Sequence, residues 1–67
     1  MTLDKARELI GTQLAFGSGY NRNATRLILA EVQREHGQQA VDALIREMGL
    51  EDGFGLKPGT DFSRVSH

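Results

Sequence analysis

The stretch QREHGQQ, residues 33–39, decides how many helices this chain can form. A helix running straight through it would carry about two turns without an apolar side chain. It would also hold a glycine in its interior, at a cost of about 1 kcal/mol relative to alanine. A break at Gly37 removes both difficulties. His36 then ends one helix, where a histidine suits the negative end of the dipole, and Gly37 stands where a terminating glycine belongs.

The two sides of that break read as separate amphipathic helices. Downstream, Ala40, Val41, Leu44, Ile45 and Met48 recur at helical spacing, which predicts a core-facing helix from Gln38 to Met48. Gly49 followed by Leu50 suits a Schellman-type end, with Leu50 folding back on the last turn. Upstream, a helix is expected from Asn21 or Asn23, both good N-caps, to His36. Its apolar residues Ala24, Leu27, Ile28, Leu29 and Val32 cover about 200° of the wheel, so it should touch more than one neighbour.

A first helix precedes it. Thr2 is the expected N-cap, and Asp4 sits favourably at the positive end of the dipole. Leu3, Ala6, Leu9, Ile10, Leu14 and Phe16 fall within an arc of about 160°. Lys5, Arg7, Glu8 and Thr12 take the opposite side, and Gly17 is the expected left-handed terminator.

The stretch AFGSGYNRNATR, residues 15–26, resembles a phosphate cradle in composition. A nucleotide-binding glycine loop follows a strand, however, and this one follows a helix; no Gly-Lys-Ser/Thr follows it either. The expectation is a bend: Gly17 ends one helix, Ser18-Gly19 turns the chain, and an asparagine starts the next. Tyr20 then takes the hydrophobic-staple position ahead of an Asn21 cap.

Past Leu50 the composition changes. Gly53, Gly55, Gly59 and the only proline, Pro58, argue against a further helix. Lys57-Pro58-Gly59-Thr60 has the order of a type II turn. Phe54, Leu56 and Phe62 nevertheless give this segment apolar area that should pack on something. Two outcomes are expected of them, which do not exclude each other. They fold back to cap the helical core, or they dock on a partner.

Bulk properties limit the functions open to the chain. Sixty-seven residues make one small domain. A chain of this size buries about 60% of its unfolded surface, so good helix packing or self-association must supply stability. Without cysteine there is neither a disulfide nor a thiolate metal site. Net charge is −1, whereas a dedicated nucleic-acid binder usually has a basic excess. No apolar run approaches the roughly 20 residues of a membrane span. Residues 1–5 lack the basic and apolar parts of a secretion signal, so a soluble cytoplasmic protein is expected.

Candidate sites are few. Arg22 and Arg26 share a helix face beside Asn23, as at the N-terminal end of a DNA-reading helix. Gln38, Gln39 and Arg46 are the corresponding polar residues of the next helix. His36 and His67 have no metal-site spacing to a carboxylate. Glu31, Glu35 and Asp42 read as solvated carboxylates rather than catalytic groups, so neither catalysis nor a cofactor is expected.

The expected fold is all-α. Residues 1–50 form a three-helix domain in a helical-hairpin or helix-turn-helix-like arrangement, and residues 51–67 an irregular Gly-rich arm. The expected function is protein–protein interaction as a regulator or accessory subunit. Phe54, Leu56 and Phe62 are the partner-binding residues, and the partner is a second copy, giving a homodimer, or another protein. The alternative is a small helix-turn-helix-like DNA-binding regulator using Arg22, Asn23 and Arg26.

Overall fold

A computed structural model describes residues 1–16 and 19–63, with the backbone alone at 19–21. Its elements are α1 (Leu3–Phe16), α2 (Gly19–His36), α3 (Gln38–Met48) and α4 (Leu50–Phe54). The chain is therefore a small all-α domain, about 26 × 22 × 20 Å in extent.

Helix α1 starts as its cap residue requires: the Lys5 amide donates to the Thr2 hydroxyl at 3.0 Å. Ala6 and Ile10 are fully buried, and Leu3 and Leu14 pack at the edge of the core. Phe16 departs from the expected arc and is 70% exposed. It is the last residue of α1.

The Met1 ammonium reaches Glu31 at 3.2 Å and also binds Glu35. His36 Nε2–H donates to the Met1 carbonyl at 2.9 Å. The start of α1 thus lies beside the end of α2, and the two helices run antiparallel. Glu31 and Glu35 are ion-pair partners rather than the free solvated carboxylates expected. The hydrogen bond from the Met1 ammonium to Glu35 raises the ammonium pKa above its ordinary value and lowers that of the Glu35 carboxyl.

Helix α2 begins at Gly19, ahead of either asparagine expected to cap it. A side-chain cap contributes only about 1 kcal/mol, and packing can shift a helix start by more than that. Gly17, Ser18 and the side chains of Tyr20 and Asn21 lie outside the described residues, as does His67. The expected breadth of α2 is present. Leu29, Ala30, Val32 and Thr25 are buried, while Ala24, Leu27 and Ile28 are partly covered. α1 and α3 both pack along it.

The break falls at Gly37, with φ 91° and ψ 176°. Only glycine adopts that backbone region readily. α3 then follows over the expected residues. Val41, Leu44 and Ile45 are buried and Ala40 and Met48 partly so. Arg7 Nε–H donates to Glu47 at 2.7 Å, tying α1 to the end of α3.

The fourth helix was not expected. Its glycine content argues against it, and five residues are too few to hold a helix unaided. Burial supplies the difference: Leu50 and Phe54, one turn apart, both enter the core. Glu51 and Asp52 occupy its first turn, where the dipole favours acids. Gly53 has a steric reason as well. A Cβ there would come within 3.2 Å of Leu14 Cδ2, so the glycine lets α4 approach α1 closely.

Candidate functional site

After Gly55 ends α4, residues 56–63 form an arm laid across the molecule. The expected turn is present, with the Thr60 amide donating to the Lys57 carbonyl at 3.3 Å and Gly59 at φ 87°. The arm is held by polar side chains around the α2–α3 break. The Gly59 amide donates to Asp42 Oδ1 at 2.7 Å. Gln38 Nε2–H donates to the Thr60 carbonyl at 2.9 Å, and to Asp42 Oδ1 at the same distance. The Phe62 amide donates to Gln33 Oε1 at 2.8 Å, and Gln33 Nε2–H donates to Gln38 Oε1 at 2.6 Å.

Two readings from sequence change here. Asp42 is not simply solvated but accepts a backbone amide of the arm. Gln38, considered as a base-contacting residue, is engaged in the same network.

Beneath these bonds lie the three arm residues singled out from sequence. Phe62 is 2% exposed, Leu56 4% and Phe54 9%, and all three belong to the chain's own core. Folding back onto the core is the first of the two outcomes expected of them.

The Gly59 amide, and then the Gln38 amide, hold the Asp42 carboxyl pKa below its ordinary value. A group with a depressed folded pKa adds stability above its unfolded value and loses it as pH falls through the folded one. Asp42→Asn should therefore lower the thermal midpoint near neutral pH. The gap from the unsubstituted chain should close on acidification below about pH 4, the range of a free aspartate. Melting curves of both chains across pH 2–8 check this, and a gap independent of pH would contradict it.

What the arm creates is a cleft against α2. On a helix advancing 100° per residue, Arg22, Arg26, Leu29 and Gln33 share one face, within about 60°. Gln33 bonds the end of the arm, Leu29 is buried, and Arg22 and Arg26 remain beside the space the arm encloses. Lys57, Thr60 and Asp61 border it from the arm, and Leu56 and Phe62 lie at its apolar base. Its volume is about 290 Å³. Asn23 is exposed on the neighbouring face of α2 and does not line it.

Charge sets this cleft apart. Arg22, Arg26 and Lys57 make no ion pair among the described residues, whereas Arg7 and the Met1 ammonium are paired with carboxylates. Asp61 is the one acid in the lining among the described residues. Its Oδ1 accepts from the Ser63 amide at 2.9 Å and from the Ser63 hydroxyl at 2.6 Å, which turns it along the arm. Among the described residues, three cations less one carboxylate leave a formal charge of +2. A second depression, bordered by Ile45, Arg46, Gly49, Glu51, Asp52 and Pro58, mixes one cation with two acids and favours no ligand sign.

Among the described residues no group of three or more His, Cys, Asp or Glu is placed to hold a metal ion. No helix there is long and apolar enough to cross a membrane. Compared with known proteins, the chain matches no family model, no curated protein and no solved structure.

From sequence, Arg22 and Arg26 were recognisable as a pair by their spacing. Lys57 was not, because only the arm's return across α2 brings it to them.

Proposed function

We propose that this chain is a non-catalytic helical protein that acts through protein–protein interaction. Its contact surface on this reading is the cationic cleft between α2 and the arm, and the group it receives is an anionic side chain of a partner polypeptide. The observation that carries the reading is that Arg22, Arg26 and Lys57 border one cleft, where among the described residues only Asp61 offsets their charge. Leu56 and Phe62 take the indirect part of forming the base of the cleft, and Phe54 packs in the core with them. A second copy or a different protein can supply the anionic side chain, and light scattering separates the two: self-association gives about twice the 7.4 kDa chain mass.

The second reading, nucleic-acid binding through Arg22, Asn23 and Arg26, has the same two arginines in its favour. Two observations make it the weaker one. A cleft of about 290 Å³ admits a side chain rather than a duplex, and the chain as a whole carries net charge −1. Three phosphate contacts would also give a shallow salt dependence, with a log–log slope of about −3.

Fluorescence anisotropy with a short labelled Asp/Glu peptide, run beside a labelled DNA duplex, tests the reading. The peptide should bind at low salt, and the double variant Arg26→Ala, Lys57→Ala should weaken that binding by about 10- to 100-fold, as expected for loss of charged hydrogen bonds. Both positions are at least partly solvent-accessible, so helix content should not change. Duplex binding that depends on Arg22 and Arg26 would favour the second reading.

A further inference from the structure

We propose that the anionic group received by the cleft is a phosphomonoester dianion on a partner polypeptide, which rests on the cleft being the contact surface. Three features of the cleft favour phosphate over carboxylate. The first is charge: the described lining residues carry a formal +2, matching a phosphorylated side chain, whose charge near neutral pH approaches −2.

The second is the direction of the donors. Arg22 and Arg26 stand one helical turn apart on the α2 wall, and Lys57 stands on the arm wall. A carboxylate has two oxygens in one plane and is satisfied by one guanidinium fork. A phosphoryl group has three terminal oxygens that diverge, so it can use two arginines on one wall and a lysine on another.

The third is the state of the remaining polar groups. Asp61, the one carboxylate among the described lining residues, accepts from the Ser63 amide and hydroxyl. The Thr60 carbonyl and the Phe62 amide are already bonded to Gln38 and Gln33. Among the described residues the cleft still offers its three cations, together with the exposed Thr60.

The ligand and the groups facing it give the proposal a pH signature. The second phosphate ionisation falls near pH 6, whereas a peptide glutamate ionises near pH 4.3. Among the described residues, the charged groups lining the cleft are Arg22 and Arg26 on α2 and Lys57 and Asp61 on the arm. Affinity for a phosphopeptide should therefore rise as pH is raised through about 6, while affinity for an Asp/Glu peptide should show no step there.

The experiment is a competition on the full chain. Its probe is a labelled, capped glycine-rich peptide with one phosphoserine, and its competitors are the unphosphorylated peptide, an Asp/Glu peptide, inorganic phosphate and a DNA duplex. Saturable binding of the phosphopeptide with the pH 6 step, at least about 10-fold tighter than either other peptide, supports the proposal. Loss of that binding in Arg26→Ala, partly restored in Arg26→Lys with helix content unchanged in both, supports it further.

Equal affinity for the Asp/Glu peptide without the step overturns the phosphoryl assignment and leaves the cleft as an acidic-peptide site. Binding of inorganic phosphate but not of the phosphopeptide overturns it in favour of a free anion, and tighter binding of the duplex in favour of nucleic acid. No binding of any probe removes the cleft reading itself.

Discussion

Phe62→Ala is expected to lower the thermal midpoint by about 10 to 40 °C and to leave much of the chain unfolded at 37 °C. Truncating a core phenylalanine to alanine costs about 3–5 kcal/mol. A domain of 67 residues has in all only about 3–10 kcal/mol, at the usual 0.05–0.15 kcal/mol per residue. In a domain this small each kcal/mol moves the midpoint by about 4–8 °C.

Phe62 is only 2% exposed, so the full truncation cost applies. Phe16→Ala is the internal control: the same chemistry at a 70% exposed position should leave the midpoint within a few degrees. Melting curves by circular dichroism read both variants. A Phe62→Ala curve overlaying the unsubstituted one would mean that the arm is not part of the cooperative unit. Removing residues 55–67 should act in the same direction, and a chain without the arm should also lose anion binding with its cleft wall.

The arm shows where reading the sequence stops. Helices α1, α2 and α3 are legible because each carries its own signal: a period near 3.6, a cap or a terminating glycine. Those signals are local, and so is the spacing of Arg22 and Arg26. α4 has no such signal. It exists because Leu50 and Phe54 find a core built by other segments, and its glycine at 53 reads as a helix breaker until Leu14 is seen against it.

The same applies to Gln33, Gln38 and Asp42. In sequence they look like a solvated polar stretch around a helix break. Folded, they bond three backbone groups of an arm far along the chain. The apolar character of Phe54, Leu56 and Phe62 was evident beforehand. Whether they faced inward or outward depended on those polar bonds, which composition does not encode. Lys57 completes the cleft for the same non-local reason.

The Gly37 break itself can be tested by the sign of one substitution. If α2 and α3 formed one continuous helix, Gly37→Ala would stabilise the chain by about 1 kcal/mol, because alanine is the better helix former. With φ 91° and ψ 176°, the opposite is expected: a destabilisation of about 1–3 kcal/mol, since an L-residue is strained in that region. Crowding plays no part, because a Cβ at 37 would meet no atom within 4 Å.

That separation of strain from space gives a matched control. D-alanine at position 37, introduced by chemical synthesis, favours positive φ and should leave stability unchanged or slightly raised, through loss of unfolded-state freedom. L-alanine should lower the midpoint in the same urea or thermal titration. Any weakening of the break would also reach the cleft, because Gln33 and Gln38 flank Gly37 and together hold the Thr60 carbonyl and the Phe62 amide. The L-alanine chain should therefore bind anions more weakly in proportion to its lost stability, and the D-alanine chain should bind them as the unsubstituted chain does.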